Sequence, residues 1–181
     1  MPFEFIPTAL EGVVRVRCEQ TADSRGAFME CYKRSDFERA GLPSFVQDNE
    51  SRSSRHTLRG LHFQRPPEAQ AKLIRVTEGE IFDVAVDLRR ESPDFGRWQA
   101  TRLSASRTEL IFIPSWCAHG FCVLSEFATV FYKTTREYSP ASEDGICWND
   151  PSLGIEWPTR EPVLSERDRR WPHLDRSRTP F

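Results

Sequence analysis

No stretch of the 181 residues approaches the roughly 20 consecutive apolar positions that a membrane-spanning helix needs. The opening Met-Pro-Phe-Glu has neither the basic start nor the apolar centre of a secretory leader. Cysteine is sparse, and Cys18, Cys31, Cys117, Cys122 and Cys147 are odd in number with no Cys-x-x-Cys pair. The expectation is reduced thiols in the cytoplasm. Neither sign of charge dominates: 29% of residues are charged, the signs are interspersed and the formal net charge is -2. No nucleic-acid surface, no membrane surface and no basic partner-binding tail is therefore expected. With no internal repeat or low-complexity segment, residues 1–181 read as one domain long enough for a substantial core.

Several kinds of chemistry lack their residues. His62 and His119 are isolated, His56 sits in a polar loop and His173 in the tail, and no His-x-His or His-x-x-x-His spacing puts two imidazoles on one face. The spacing argues against a metal centre. No serine sits in a glycine-flanked elbow, no cysteine has a neighbouring base, and no glycine loop is built to cradle phosphate. What remains is acid and base chemistry by histidine, tyrosine and carboxylate, with cations to hold an anionic ligand.

The chain is rich in strand patterns. Val13-Val-Arg-Val-Arg-Cys18 reads as an early strand, Asp23-Ser-Arg-Gly26 as a polar turn and Phe28 to Tyr32 as a return strand. Ser35 and Glu38 form a capping-box pattern for a short helix that Gly41 would end. Further segments at 57–63, 71–76, 80–88, 98–104, 108–113, 119–124 and 127–134 recur about every ten residues, as in sandwiches and barrels. The predicted class is all-β. After Tyr138, Pro140, Pro151, Pro158, Pro162 and Pro172 spaced among Trp148, Trp157 and Trp171 predict a tail that wraps the barrel. Within it Leu164-Ser-Glu-Arg-Asp168 reads as one short helical turn that Ser165 would start.

Polar residues concentrate in one region. Gln47, Asn49, Ser51 and Ser53 share one face of a strand at period two. His62 and Gln64 share a face of the next, with Lys72 close behind. Arg59 lies an odd number of residues from His62, so it would point away unless Gly60 hosts a bulge that re-aims it. The competing reading is an edge strand with a solvated polar face. In the segment from Ile81 to Leu88, the alternation favours solvent for Asp83 over a polar cavity. Tyr132 shares its face with Ala128 and Val130, which favours a core aromatic with its hydroxyl tied to a polar group.

Asp23-x-Arg-Gly-x-Phe-x-Glu30, Phe45-Val-Gln-Asp-Asn-x-Ser51, Leu58-Arg-Gly-Leu-His-Phe-Gln64 and Gln70-x-Lys-Leu73 follow one another in order. Asp83-Val-Ala-Val-Asp-Leu-Arg89, Ala118-His-Gly-Phe121, Tyr132-Lys133, Gly145-Ile-x-Trp-Asn-Asp-Pro151 and Leu164-Ser-x-x-Asp168 complete the set. Together they closely resemble the dTDP-4-dehydrorhamnose 3,5-epimerase family over nearly the whole chain. The resemblance implies a cupin-like jelly roll that is a homodimer with exchanged N-terminal strands and needs no metal or organic cofactor. It implies a dTDP-4-keto-6-deoxyhexose substrate inverted at C3 and C5. By the same resemblance His62 is the general base, oriented by Asp168, Tyr132 is the general acid and Lys72 stabilises an enolate. Arg59 and His119 would hold sugar and diphosphate, Arg25, Glu30, Gln47, Asn49 and Glu143 would line the nucleotide-sugar site, and Tyr138 would stack on thymine.

Two positions depart from the family pattern. Arg167 stands where lysine is usual, which keeps the charge and changes the hydrogen-bond geometry. Trp116-Cys117 replaces a glycine and a bulky apolar residue, and is expected to put an indole near His119 and alter the pocket. The alternatives are an epimerase of C3 only or C5 only, a metal-dependent cupin enzyme, and a binding protein that has lost catalysis.

Overall fold

The computed structural model describes residues 2–181. In chain order the elements are β1 (Phe3–Pro7), β2 (Val14–Cys18), β3 (Gln20–Asp23), β4 (Gly26–Met29), α1 (Arg34–Arg39), β5 (Gln47–Ser54), β6 (Leu58–Gln64) and β7 (Lys72–Glu78). They continue with β8 (Glu80–Asp87), β9 (Trp98–Ser104), β10 (Glu109–Ile113), β11 (Cys117–Val123), β12 (Phe127–Thr134) and β13 (Glu143–Gly145). The strand segments expected from the sequence are present, except that the return strand expected over Phe28 to Tyr32 lies earlier, at Gly26–Met29. No helix among the described residues is long and apolar enough to cross a membrane.

The strands form a six-stranded sheet, β1-β2-β10-β7-β12-β5, and a five-stranded sheet, β13-β6-β11-β8-β9, with β3 and β4 as a separate hairpin. All the pairings within these sheets are antiparallel. The inner faces of the two large sheets meet in one cluster: Ile74, Val76, Ile111, Ile113, Ala128 and Val130 from the first pack on Ile81, Ala85, Leu103, Phe121 and Val123 from the second. This is the two-layered jelly-roll arrangement in which alternate side chains fill the space between sheets.

The outer face of the five-stranded sheet is covered as well. Leu61, Phe63, Val84, Val86, Leu88 and Ala118 pack against Ile155, Trp157, Leu174 and Phe181, so residues of the proline-rich tail lie over this face. Its short helical turn is only a hydrogen-bonded turn, in which the Asp168 amide donates to Ser165 Oγ at 3.1 Å. Because β8 lies between β11 and β9 and carries packing on both faces, all its residues from Asp83 to Asp87 are buried. The alternation reading of Asp83 as solvated is corrected here: the tail covers the apolar face of Val84 and Val86, so the face of Ile81, Asp83 and Ala85 turns into the space between the sheets, where Asp83 meets His119.

On the outer face of the six-stranded sheet, α1 buries Phe37 completely against Phe3, Phe5, Tyr32 and Phe45. Burying an aromatic of this size contributes about 1.5–3 kcal/mol. The helix begins at N-cap Lys33 with no side-chain cap, so Ser35 does not form the expected capping box. Its end follows the expected pattern: Gly41 takes φ 80°, its N–H donates to Glu38 O at 3.0 Å, and Leu42 N–H donates to Phe37 O at 2.9 Å. These two bonds make a Schellman cap, with Leu42 joining Phe37 in the apolar cluster.

Candidate active site

Between the two sheets, at the end where β5, β6, β7, β11 and β12 converge, lies a cavity of about 360 Å³. The same alternation that sends Asp48, Glu50 and Arg52 to solvent turns Gln47, Asn49 and Ser51 inward from β5. His62 and Gln64 enter from β6, Lys72 from β7, His119 from β11 and Tyr132 from β12. Tyr138, Glu143 and Arg167 close the rim.

Arg59 reaches the same cavity through the expected irregularity. His62 pairs with His119 and Arg59 with Phe121, so three steps on β6 face two on β11. The extra residue re-aims Arg59, and its Nε donates to Ser53 Oγ at 3.1 Å. Gly60 makes the bulge possible: its φ is 141°, and a Cβ there would sit 2.5 Å from Gly120 Cα.

Two histidine–carboxylate pairs flank the cavity. His62 Nε2 lies 2.5 Å from Asp168 Oδ1, and Asp168 is 3% exposed. Burial alone would raise the Asp168 pKa. Hydrogen bonds from His62, Ser165 and Trp171, with the charge of His62, outweigh it and hold the carboxyl below its usual range. A neutral His62 ring hydrogen-bonded this way carries its proton on Nε2, which leaves the Nδ1 lone pair free as a base.

The second pair is His119 Nε2 to Asp83 Oδ2 at 2.8 Å, with both residues buried. Burial pushes the His119 pKa down against the attraction of Asp83, and the charges of Lys72 and His62 push the same way. Asp83 Oδ1 is buried without a hydrogen-bond partner. Lys72 completes the electrostatics: its Nζ lies 3.5 Å from the His62 carbonyl oxygen, and burial brings its pKa down to about 8 against Asp83 and Glu143.

Tyr132 is not the tied core phenol that its sequence neighbours suggest. Its ring packs on the inter-sheet core, while the residue lines the cavity and its hydroxyl makes no hydrogen bond with the described residues. Burial raises its pKa, opposed by Arg59 and aided by Glu143. At the rim, Tyr138 Oη donates to Glu143 Oε2 at 2.8 Å, and Arg167 Nη1 donates to the same oxygen at 2.5 Å. Gln47 Nε2 donates to Asn49 Oδ1 at 2.8 Å.

Arg25 and Glu30 stand apart. Arg25 sits at the exposed tip of the β3–β4 hairpin, ion-paired with Asp23, and Glu30 follows β4 in solvent; neither lines the cavity. Trp116 also falls elsewhere. It packs against Gly12, where a Cβ would lie 2.7 Å from Cζ2, with the Arg89 guanidinium 5.3 Å from its ring, and it does not line the cavity. The expectation that its indole reshapes the pocket is thereby corrected: Trp116 precedes β11, and His119, three residues further on, faces a different region. Gln70 and Thr134 line the cavity without having been singled out, and Ser51 and Gln64, named from the sequence only as members of the polar faces, line it too. For Gln64 the signal was available, since it shares a face with His62. Among the described residues, no group of three or more His, Cys, Asp or Glu is arranged to hold a metal ion.

Comparison with known proteins agrees with this geometry. The family model for dTDP-4-dehydrorhamnose 3,5-epimerase matches residues 7–176. A dTDP-4-dehydrorhamnose 3,5-epimerase of Pseudomonas aeruginosa is 53% identical over 90% of this chain and 91% of its own. The crystal structure of the Bacillus anthracis enzyme of that name, with TDP and pyrophosphate bound, is 42% identical with a TM-score of 0.92, covering 95% of this chain and 99% of the other. A dTDP-6-deoxy-D-glucose-3,5-epimerase of Legionella pneumophila, in complex with dTDP-4-keto-L-rhamnose, is 40% identical with a TM-score of 0.91, covering 94% and 92%. In sequence along nearly its whole length and in backbone, the chain belongs to the dTDP-4-dehydrorhamnose 3,5-epimerase family.

Proposed function

We propose that this protein epimerises dTDP-4-dehydro-6-deoxy-D-glucose at C3 and C5 to dTDP-4-dehydro-L-rhamnose. The observation that carries this reading is the convergence of a carboxylate-bound imidazole, a hydroxyl with no internal partner and a lysine on one cavity. Protons α to the C4 ketone are acidic enough to be removed when the carbonyl becomes an enolate. Inversion then requires a proton from the opposite face.

His62 Nδ1 takes the C3 proton, the C–H electron pair becomes the C3–C4 double bond, and the C4 oxygen gains the charge. Asp168 stabilises the imidazolium, and the Lys72 ammonium lies beside the enolate oxygen, where a fixed cation in a partly dry site is worth far more than in water. Tyr132, kept protonated by burial, delivers a proton from the other side as the enolate collapses to the ketone. Exchange with solvent removes the proton from His62 and returns one to Tyr132, and the cycle repeats at C5. The scheme balances without a metal or an organic cofactor.

Arg59 and His119 hold the sugar and diphosphate, and Gln47, Asn49, Glu143, Arg167 and Tyr138 shape the nucleotide end. Arg25 and Glu30 reach a site by homodimerisation, from the hairpin of a second copy. The support is that hairpin's exposure, including Phe28 at 71%. Light scattering that returned a monomer mass would remove this part of the reading. The cytoplasm is the expected compartment, given five free cysteines.

The test is turnover of dTDP-4-dehydro-6-deoxyglucose in deuterated water, followed by NMR. Deuterium at both C3 and C5 with the L-rhamno ketosugar as product supports the reading. Label at one carbon alone indicates a single-site epimerase, and absence of exchange overturns the assignment.

A further inference from the structure

Four consecutive residues, Arg136 to Ser139, lie outside the strands, and the backbone of each is held by a glutamine side chain. Gln70 Nε2 donates to Arg136 O at 2.7 Å, and Gln64 Nε2 donates to Glu137 O at 3.3 Å. Tyr138 N–H donates to Gln47 Oε1 at 2.8 Å, and Ser139 N–H donates to Gln64 Oε1 at 2.8 Å. Gln64 thus grips the chain on both sides of Tyr138, and its Nε2 also donates to Glu68 O at 2.6 Å. Gln64 and Gln70 are 4% and 9% exposed, whereas Tyr138 is 50% exposed.

A segment without ladder hydrogen bonds is among the first parts of a protein to open locally. Here the amides supply what a ladder would, so the half-exposed ring is held in place before any ligand arrives. Prior ordering of this kind raises affinity by removing an entropic cost from binding. We infer that Gln64, with support from Gln70, is a positioning residue for nucleobase recognition: it clamps the backbone that presents Tyr138 to the base of the ligand. The inference rests on the reading of this cavity as a dTDP-sugar site with Tyr138 against the base. It assigns a task to Gln64 separate from proton transfer, although the residue stands on the same strand face as His62.

The experiment is calorimetric titration of full-length protein with dTDP, for the wild type, Gln64→Met, Tyr138→Ala and the double variant. Methionine keeps the length of glutamine and has no amide. Gln64→Met is expected to raise Kd by about tenfold, within the range that base stacking commands, with KM for the ketosugar rising in parallel. Once the ring is gone the clamp has nothing to position, so Gln64→Met in the Tyr138→Ala background is expected to change Kd less than about twofold. A Gln64→Met protein that binds dTDP as the wild type does, or an equal loss in both backgrounds, overturns the inference. Wild-type protein that does not bind dTDP overturns the reading of the cavity instead. Should Gln64→Met fail to fold, Gln70→Met, which removes one of the two side-chain bonds to Arg136 O and leaves that from Thr134 Oγ1, takes its place: a smaller rise that vanishes without Tyr138 supports the clamp, and wild-type affinity refutes it.

Discussion

Replacing Asp168 by asparagine isolates one interaction in the proposed chemistry. The shape of the side chain is retained, an amide oxygen can still accept from Trp171, and the residue 168 N–H still donates to Ser165 Oγ, so the turn should persist. What changes is the partner of His62 Nε2, a carboxylate oxygen at 2.5 Å in a residue 3% exposed. When the imidazole takes a substrate proton, a hydrogen bond between charged groups is replaced by one to a neutral amide. A bond to a charged group contributes about 1.5–3 kcal/mol against about 0.5–1.5 for a neutral one, a difference of about 1–1.5 kcal/mol that corresponds to roughly a 5- to 13-fold loss in rate. Asparagine can also turn its NH2 toward Nε2 and favour the wrong tautomer, which would deepen the loss. The assay is deuterium wash-in at C3, read by NMR under single-turnover conditions so that product release does not mask the proton transfer. The loss should fall on kcat more than on KM. Wild-type exchange in Asp168→Asn, or a change confined to KM, would refute the role of the pair.

Lys72 should give the pH profile a distinctive limb. Because its pKa is held near 8, kcat/KM should decline above about pH 8 as the cation is lost, and Lys72→Met should abolish that limb while costing about 10²–10³-fold in kcat. The same depressed pKa has the opposite effect on stability: between about 8 and the unfolded-state value of about 10.4 the unfolded chain binds the extra proton, so this group's contribution to stability rises with pH. Denaturant titrations across that window, compared with Lys72→Met, measure this. Tyr132→Phe should retain proton exchange at C3 but return the label with uninverted configuration, which NMR of recovered substrate will show. Gly60→Ala should destabilise the fold by about 3 kcal/mol, since the strained φ and the contact with Gly120 each carry a penalty, and a midpoint shift in urea will measure it.

Strand positions were legible because period-two alternation is a local property, and in β5 it divides cavity-facing from solvent-facing residues one by one. The bulge at Gly60 was legible for the same reason, as a parity conflict between Arg59 and His62. Asp83 was not, because the apolar face of Val84 and Val86 is buried under a tail more than sixty residues away, which leaves the mixed face of Asp83 to line the space between the sheets. Ser35 misled through a local motif that the helix does not use, since its N-cap lies two residues earlier at Lys33. Trp116 misled because nearness in sequence to His119 is not nearness to the cavity at the start of a strand. Arg25 and Glu30 mark the limit of a single chain, since nothing within it brings their hairpin to the cavity.

The central claim is geometric: an imidazole and a phenol on opposite faces of one ketosugar, with an ammonium at its carbonyl. A crystal structure of the protein with a bound dTDP-4-keto-6-deoxyhexose tests it directly. His62 Nδ1 and Tyr132 Oη are expected on opposite sides of the pyranose ring, with Lys72 Nζ at hydrogen-bonding distance, about 2.6–3.2 Å, from the C4 oxygen. A ring that lies with both groups on one face, or with its C4 oxygen turned away from Lys72, would contradict it.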